Sequence, residues 1–184
     1  MTLEQLARQG RRTSSMTTAA TITSKMSEIR KESIKQAFSD FENIRYRYEF
    51  VETIDGVSYY DDSAACTVEA SWFTFDNLNL PVVWITYGDN PDCDDLIPQV
   101  RKYVKAIICI GENNKKFHEV YDNLMNSNII DCHSVKEAVA LANKITHSGD
   151  NVVFSPSRPA NNEFASYSER GDYYKNCVCS LKSI

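Results

Sequence analysis

The sequence predicts an α/β fold: a three-layer Rossmann-like domain with a mostly parallel sheet, an antiparallel hairpin at its start and an N-terminal helical segment. Beyond residue 80, short apolar runs alternate with patterns of helical period, which is typical of buried parallel strands joined by crossover helices. Before them, Asp55-Gly56 separates two stretches rich in aromatic and β-branched residues, and this arrangement is a strong hairpin signal.

The first part of the chain has helical rather than strand periodicity. Apolar positions within residues 16–26 predict a first helix. A second helix is predicted from the stripe Ile34, Ala37, Phe38 and Phe41. We therefore expect residues 1–43 to form a helical segment and residues 44–184 to form the α/β domain.

The strands of the α/β domain are predicted from their apolar and aromatic runs. The hairpin pairs residues 48–53 with residues 57–61. Four parallel strands are expected at residues 81–86, 106–110, 129–130 and 152–154. In such a sheet, ligands bind beyond the carboxyl ends of the strands. These ends correspond to the loops at residues 61–67, 87–95, 111–114 and 155–162.

Helices are predicted between and after these strands. One is expected near residues 94–103, and the stripe at Phe117, Val120, Tyr121 and Leu124 indicates another. Ser134 and Glu137 have the spacing of a capping box that starts a third helix, and Gly149 fits the left-handed residue that stops it. The last helix is expected over residues 162–181.

Composition excludes several classes of function. The 184 residues carry a net charge of −5 with a pI near 5.2, which argues against nucleic acid or an anionic membrane surface as a partner. No apolar run is long enough to cross a bilayer, and the N-terminus has no signal-peptide core. The six cysteines form no CxxC pair, so we expect free thiols, no metal site and a cytoplasmic protein.

Phosphate chemistry usually requires a glycine-rich cradle of backbone amides followed by lysine and a hydroxyl residue. None of the six glycines precedes a Lys-Ser or Lys-Thr pair. The chain therefore has no P-loop, and we expect it to hold no ATP in the manner of P-loop enzymes.

Residues 48–63 of the hairpin and the distal Ser155-Pro156 and Arg170-Gly171 motifs resemble the C-terminal domain of Mur peptide ligases. From about Leu3 onward, the order of elements is similar to the last third of the members that add D-glutamate to a peptidoglycan precursor. The resemblance implies an ATP- and magnesium-dependent ligase. Its C-terminal domain closes over ATP and binds the incoming amino acid. The partners it implies are the missing Mur ligase domains or another protein.

The resemblance also implies which residues form the site. Arg47, Asp62 and Ser63 match nucleotide-contacting positions, and Cys66 and Ser155 fall at substrate-binding positions. Arg47 could instead pair with Glu49 or a nearby aspartate, and Asp62-Ser63 could form a turn or helix cap. No catalytic residue, metal ligand or cofactor is expected for this chain alone.

Several positions depart from the family pattern where ligands would lie. Ala64 and Pro91 each stand where the family has a lysine, and Cys66 stands where it has a threonine. Ala160 replaces a serine, and Asn161 replaces a phenylalanine. The loop around Pro91 is acidic instead, and a solvated acidic loop is favoured over a hard-cation site.

Two hypotheses follow from these departures. The first is a Mur-ligase-like domain with a degenerate site that is non-catalytic on its own. The second is a working C-terminal domain of a D-glutamate ligase whose N-terminal and ATPase domains are absent. Arg170 is expected to anchor the last helix rather than contact a ligand.

Overall fold

The computed structural model describes residues 45–76, 82–90, 92–126, 128–161 and 163–183. The predicted helical segment 1–43 and the substituted position Pro91 lie outside the described residues. The predicted helices of residues 1–43, the predicted effect of Pro91 and the predicted domain boundary near residue 43 therefore remain predictions.

A six-stranded mixed sheet forms the centre of the domain. Its strands are β1 (Glu49–Ile54), β2 (Val57–Asp61), β3 (Val82–Tyr87), β4 (Val104–Ile110), β5 (Ile129–Cys132) and β6 (Asn151–Phe154). Their spatial order is β1-β2-β6-β3-β4-β5. Only the β1–β2 pair is antiparallel, and the other four pairs are parallel.

Five α-helices cover the two faces of the sheet within the described residues. They are α1 (Val68–Asp76), α2 (Ile97–Tyr103), α3 (Lys115–Met125), α4 (Val135–Ile145) and α5 (Tyr167–Ser180). Helices α1, α2 and α3 share one hydrophobic core with the sheet, and α4 and α5 share the other. This arrangement confirms the predicted three-layer α/β class with a mostly parallel sheet and an antiparallel hairpin.

The central strands explain why their sequences are continuously apolar. Every residue of β3 is buried, with Val83 and Ile85 in one core and Val82 and Trp84 in the other. A parallel strand between two helical layers has no solvated face, so alternation with polar residues is lost. Trp84 anchors its layer, since its ring packs edge-on against Phe75 at a centroid distance of 5.1 Å.

Local signals in the sequence fix several turns and caps. Asp55 and Gly56 have φ angles of 50° and 79°, as the predicted two-residue hairpin turn requires. The capping box at α4 is confirmed, because Ser134 Oγ accepts a hydrogen bond from the Glu137 N–H at 3.2 Å. Glu137 in turn accepts from the His133 N–H at 2.9 Å.

Two predicted boundaries are wrong. Gly149 does not stop α4, which ends at Ile145; its φ of 96° belongs to the turn that leads into β6. The last helix starts at Tyr167 rather than at residue 162, because Ser166 caps it by accepting from the Glu169 N–H at 3.1 Å. The helix near residues 94–103 is also split, with a 3₁₀ turn at Cys93–Leu96 before α2.

Two further expectations concern disulfide bonds and membrane-spanning helices. All six cysteines are unpaired, as predicted. Within the described part of the chain, no helix has the length and apolar character that a bilayer crossing demands.

Candidate functional site

The sheet order creates a crevice at the carboxyl ends of its middle strands. Strand β6 lies between β2 and β3. After β2 the chain continues to α1, and after β3 it continues to α2, and both helices lie on one face of the sheet. After β6 the chain continues to α5, which lies on the opposite face. Neighbouring loops therefore diverge at this point, which is where ligands bind in open α/β sheets.

A cavity of about 400 Å³ lies in this crevice. Its wall comes from the loops after three strands and from the start of α1. The lining residues are Cys66, Thr67, Val68, Glu69, Asp89, Asn90, Asp92, Asp95, Ser157, Arg158 and Pro159. A cavity of this size accommodates a small organic molecule. The cavity thus lies among three of the four loops predicted at the carboxyl ends of the strands, and residues 111–114 do not line it.

Asp62 lies buried below the cavity, with 1% of the residue exposed. Its Oδ2 accepts hydrogen bonds from Thr74 Oγ1 at 2.6 Å and from Ser155 Oγ at 2.7 Å, and its Oδ1 accepts from the Tyr48 N–H at 3.3 Å. Burial raises the pKa of Asp62 to about 7, although these donors and the charge of Arg47 act in the opposite direction.

The hydrogen-bonded chain continues from Asp62 to the cavity wall. Ser155 Oγ is 2.6 Å from Ser71 Oγ, which is 2.7 Å from Ser157 Oγ. Ser155 is fully buried, and Trp84 Nε1 donates to its carbonyl at 2.8 Å. Ser157 lines the cavity and has a φ of 55°. This series of hydrogen bonds thus joins the loop after β2, helix α1 and the loop after β6.

Asp61 is a second buried carboxyl group, directed toward α5. Its Oδ1 accepts from the Ser63 N–H at 2.9 Å, and its Oδ2 is 3.8 Å from Lys175 Nζ. Burial raises the pKa of Asp61 to about 6, partly offset by Ser63 and by the charge of Lys175. Lys175 also bonds Glu49 at 3.0 Å, so it ties α5 to the hairpin.

Arg170 holds the loops around the cavity together. The residue is 1% exposed, and its guanidinium donates to the carbonyl oxygens of Ser63 at 2.8 Å, Arg158 at 3.1 Å and Pro159 at 3.3 Å. These bonds fix α5 to the loops after β2 and β6. The prediction that Arg170 anchors the last helix is confirmed.

Arg158 is the one basic residue among the described residues of the cavity wall. Its guanidinium forms an ion pair with Asp89 and stacks over the Tyr87 ring, 3.9 Å from the centroid. Only 16% of its side chain is exposed. The other charged side chains of the wall are the carboxylates of Glu69, Asp92 and Asp95. Among the described residues, the wall therefore presents four carboxylates and one guanidinium, which forms an ion pair with Asp89 while its buried Nε has no hydrogen-bond partner.

The residues predicted from the family resemblance fall at different depths. Cys66 lines the cavity, whereas Asp62, Ser63 and Ser155 are buried and are not part of its lining. Arg47 is half-buried, and its charge acts on Asp62. Of the two alternatives for Asp62-Ser63, the turn is confirmed, because the Ala65 N–H donates to the Asp62 carbonyl at 2.8 Å, and the helix cap is wrong. Thr67 Oγ1 accepts from the Ala70 N–H at 3.3 Å at the start of α1, while the Asp62 carboxyl bonds Thr74 and Ser155.

Sequence reasoning missed Arg158 and Ser157 as parts of the wall. Their signal was their position, directly after the strand that ends at Phe154. Neither received a role from the sequence, because a pairing such as that of Arg158 with Asp89, 69 residues away, has no local signature.

ATP and magnesium, the cofactors that the resemblance implies, do not fit at Asp62. Asp62 is buried, and protein donors bond both of its oxygens, so this carboxyl offers no accessible face to a ribose or a metal ion. Among the described residues, no group of three His, Cys, Asp or Glu side chains could hold a metal ion.

Two curated relatives of this chain carry the same name. This chain is 33% identical over 183 residues to the UDP-N-acetylmuramoylalanine–D-glutamate ligase of Christiangramia forsetii. The matched region covers 98% of this chain and 41% of the relative. The same-named protein of Porphyromonas gingivalis is 33% identical over 180 residues, 97% of this chain and 40% of the relative. The chain thus spans about two fifths of the length of these curated relatives.

Solved structures support the same fold. The UDP-N-acetylmuramate-alanine ligase MurC of Thermotoga maritima matches with a TM-score of 0.54 and 11% identity, over 80% of this chain and 32% of that one. No protein-family model matches the chain. Because the similarity to these curated relatives spans nearly all of this chain, the chain belongs to the Mur ligase family and corresponds to the C-terminal part of its D-glutamate ligases.

Proposed function

We propose that this chain is a Mur-ligase-like C-terminal domain whose amino-acid cavity no longer accepts D-glutamate and which is non-catalytic on its own. The observation that carries the proposal is the charge of the cavity wall, whose described residues include four carboxylates, those of Glu69, Asp89, Asp92 and Asp95, and one arginine. Its remaining role is that of a binding or interaction module.

The physical argument concerns the two carboxylates of D-glutamate. A buried carboxylate without a cation or several N–H donors is costly. Arg158 is the cation that the described part of this wall supplies, and it already forms an ion pair with Asp89. A second anion would have to compete with Asp89 while approaching three further carboxylates, so the wall repels the ligand that the family name implies.

A working C-terminal domain of a D-glutamate ligase is the second candidate. It is favoured by the chain spanning only about 41% of its relatives and by the buried bonds that position Asp62 beside Arg47. On this hypothesis, the partners are the missing N-terminal and ATPase domains, and ATP and magnesium would bind mainly there. In either case we place its action in the cytoplasm, which the unpaired thiols support.

A chimera separates the two candidates. The C-terminal part of the C. forsetii relative is replaced by this chain, and ADP release and D-glutamate-containing product are measured. The first candidate predicts no product above the blank, while the unaltered relative provides the positive control. Binding of the UDP substrate, measured in both proteins, shows that the grafted enzyme is folded. Product formation at a rate within about tenfold of the control would favour the working domain.

A further inference from the structure

One lysine of helix α5 serves carboxyl groups on two strands of the hairpin. Lys175 Nζ lies 3.0 Å from a carboxylate oxygen of Glu49 in β1 and 3.8 Å from Oδ2 of Asp61 in β2. Asp172, one turn earlier in α5, is 3.5 Å from the same nitrogen. Only 17% of the Lys175 side chain is exposed, so protein groups rather than water dominate its surroundings. Glu49 and Asp61 therefore compete for the same ammonium group.

Asp61 is the partner with the poorer geometry. The residue is fully buried, and its Oδ1 accepts from the Ser63 N–H, whereas its Oδ2 has no hydrogen-bond partner in the described part of the chain. Gly171 closes the space beside this oxygen, since a β-carbon built there would lie 2.6 Å from Oδ2 and 2.3 Å from Ser63 Oγ. A protonated carboxyl group tolerates such surroundings. A carboxylate oxygen that lacks a donor and a close cation is costly there.

The other groups around Asp61 cannot supply that cation by moving. The charged and titratable side chains that act on Asp61 are Glu49 on β1 and Arg170, Tyr174 and Lys175 on α5, and its neighbour on β6 is the uncharged Phe154. Arg170 is fixed by its bonds to three carbonyl oxygens. Tyr174 stays neutral, because burial raises its pKa well above 10. Among these side chains, Lys175 is the cation that can change partners, since it already lies within 4 Å of both carboxyl groups.

We propose that Lys175 is a pH-sensitive latch, which bonds Glu49 while Asp61 is protonated and moves to Asp61 when that carboxyl group loses its proton to solvent. Burial raises the pKa of Asp61 to about 6, so the exchange is centred at that pH. Below it, the latch fixes β1 to α5; above it, Glu49 is released from the helix. The inference goes beyond the proposed function, because it concerns the hairpin and α5 and does not depend on the cavity.

The segment that leads into β1 is the part of the fold that responds. Glu49 also accepts from the Tyr46 N–H at 2.7 Å, and the Tyr46 hydroxyl donates to Asp172 at 3.0 Å. Tyr46 has a φ of 70°, a strained conformation for a non-glycine residue that persists only where its surroundings hold it. Release of Glu49 from Lys175 removes one of these restraints. The segment should therefore be held more loosely above the exchange pH than below it.

Nuclear magnetic resonance of the whole chain tests the exchange without any substitution. The chain is titrated from pH 5 to pH 8, and the chemical shift of Asp61 Cγ gives the midpoint of its ionisation, expected at about 6. The nuclear Overhauser effect between the Lys175 Hε and Glu49 Hγ protons reports the distance between these side chains. We expect it to be strong at pH 5 and lost at pH 8. An Asp61 carboxyl group that does not titrate in this range, or an effect of equal strength at both ends, would overturn the proposal.

Three variants test the competition for the ammonium group. Lys175→Met removes the cation and should raise the Asp61 midpoint by about one pH unit, because an opposite charge at this distance favours the ionised form. Glu49→Gln removes the competitor and should lower the midpoint by about one pH unit. Lys115→Met, the same change at an exposed lysine of α3 in the opposite layer, should leave it unaltered.

The outcome for Glu49→Gln decides the case even where Lys175→Met fails to fold. An Asp61 midpoint in Glu49→Gln that is equal to or higher than that of the parent would show that the two carboxyl groups do not compete, and the latch would be refuted. None of these results bears on the cavity. Saturable D-glutamate binding would refute the proposed function and leave the latch standing, so the two failures are distinguishable.

Discussion

Asp62→Asn tests the buried carboxyl group that organises the site. Burial moves the pKa of Asp62 from 3.8 to about 7, and a displacement of that size corresponds to about 4 kcal/mol. Because the folded-state pKa is raised, the contribution of Asp62 to the free energy of unfolding is fully present below pH 3.8 and is lost as the pH rises to about 7. Asparagine cannot ionise, so the variant lacks this loss.

The variant also carries a fixed cost. If its amide oxygen accepts from Thr74 and Ser155, its NH₂ group faces the Tyr48 N–H, and two donors then oppose each other. We expect this to destabilise the variant by about 1–3 kcal/mol at every pH. Relative to the parent, the variant should then gain stability by about 1.4 kcal/mol per pH unit between pH 4 and 7 and no more above.

Urea denaturation at pH 4 to 8, followed by the fluorescence of buried Trp84, measures this difference. Thr74→Val is the matched variant, because it removes one donor to Asp62 and should extend the parent's pH-dependent loss to higher pH. A difference between Asp62→Asn and parent that is constant across this range would refute the argument. So would a variant that loses relative stability as the pH rises.

Three other substitutions test the packing around the site. Gly171→Ala should destabilise by about 2 kcal/mol in a denaturant titration, since a β-carbon there would lie 2.3 Å from Ser63 Oγ; an unchanged midpoint would contradict this. Arg170→Lys should cost about 3 kcal/mol by the same measurement, because an ammonium cannot replace the fork that bonds three carbonyl groups, and equal stability would count against that role. Burial alone lowers the pKa of His118, but its hydrogen bonds to Asp122 and Asp131 outweigh burial and raise this pKa above 6.5. The contribution of His118 to stability is therefore present below pH 6.5 and is lost as the pH rises through the folded-state pKa. Thermal melts of His118→Gln should therefore differ from the parent at pH 6 and converge at pH 9; a difference that persists at pH 9 would refute the linkage.

Much of the fold was predictable because its signals are local or periodic. The Asp55-Gly56 turn requires positive φ angles, and continuous apolar runs such as β3 indicate strands covered on both faces. The start of the last helix was equally local, since Ser166 and Glu169 have capping-box spacing. Recognising that signal would have moved the predicted start from residue 162 to Tyr167.

The site was predictable in position but not in its contacts. The carboxyl ends of parallel strands located the cavity correctly. The bond of Ser155 to Asp62, which joins residues 93 apart, depends on the pairing of β2 with β6 and has no sequence period. The ion pair of Arg158 with Asp89 likewise depends on β3 lying beside β6. Such contacts follow from sheet order, which a single sequence does not determine.

Titration of the chain with D-glutamate tests the altered cavity most directly. In the family pattern, a lysine and a serine hold the ligand where this chain has Pro91 and Ala160. Two lost charged hydrogen bonds of roughly 1.5–3 kcal/mol each weaken affinity by about two to four decades. We predict no saturable heat up to about 10 mM D-glutamate, and partial recovery in the double variant Pro91→Lys with Ala160→Ser. Saturable binding below about 1 mM by the unaltered chain would contradict the account.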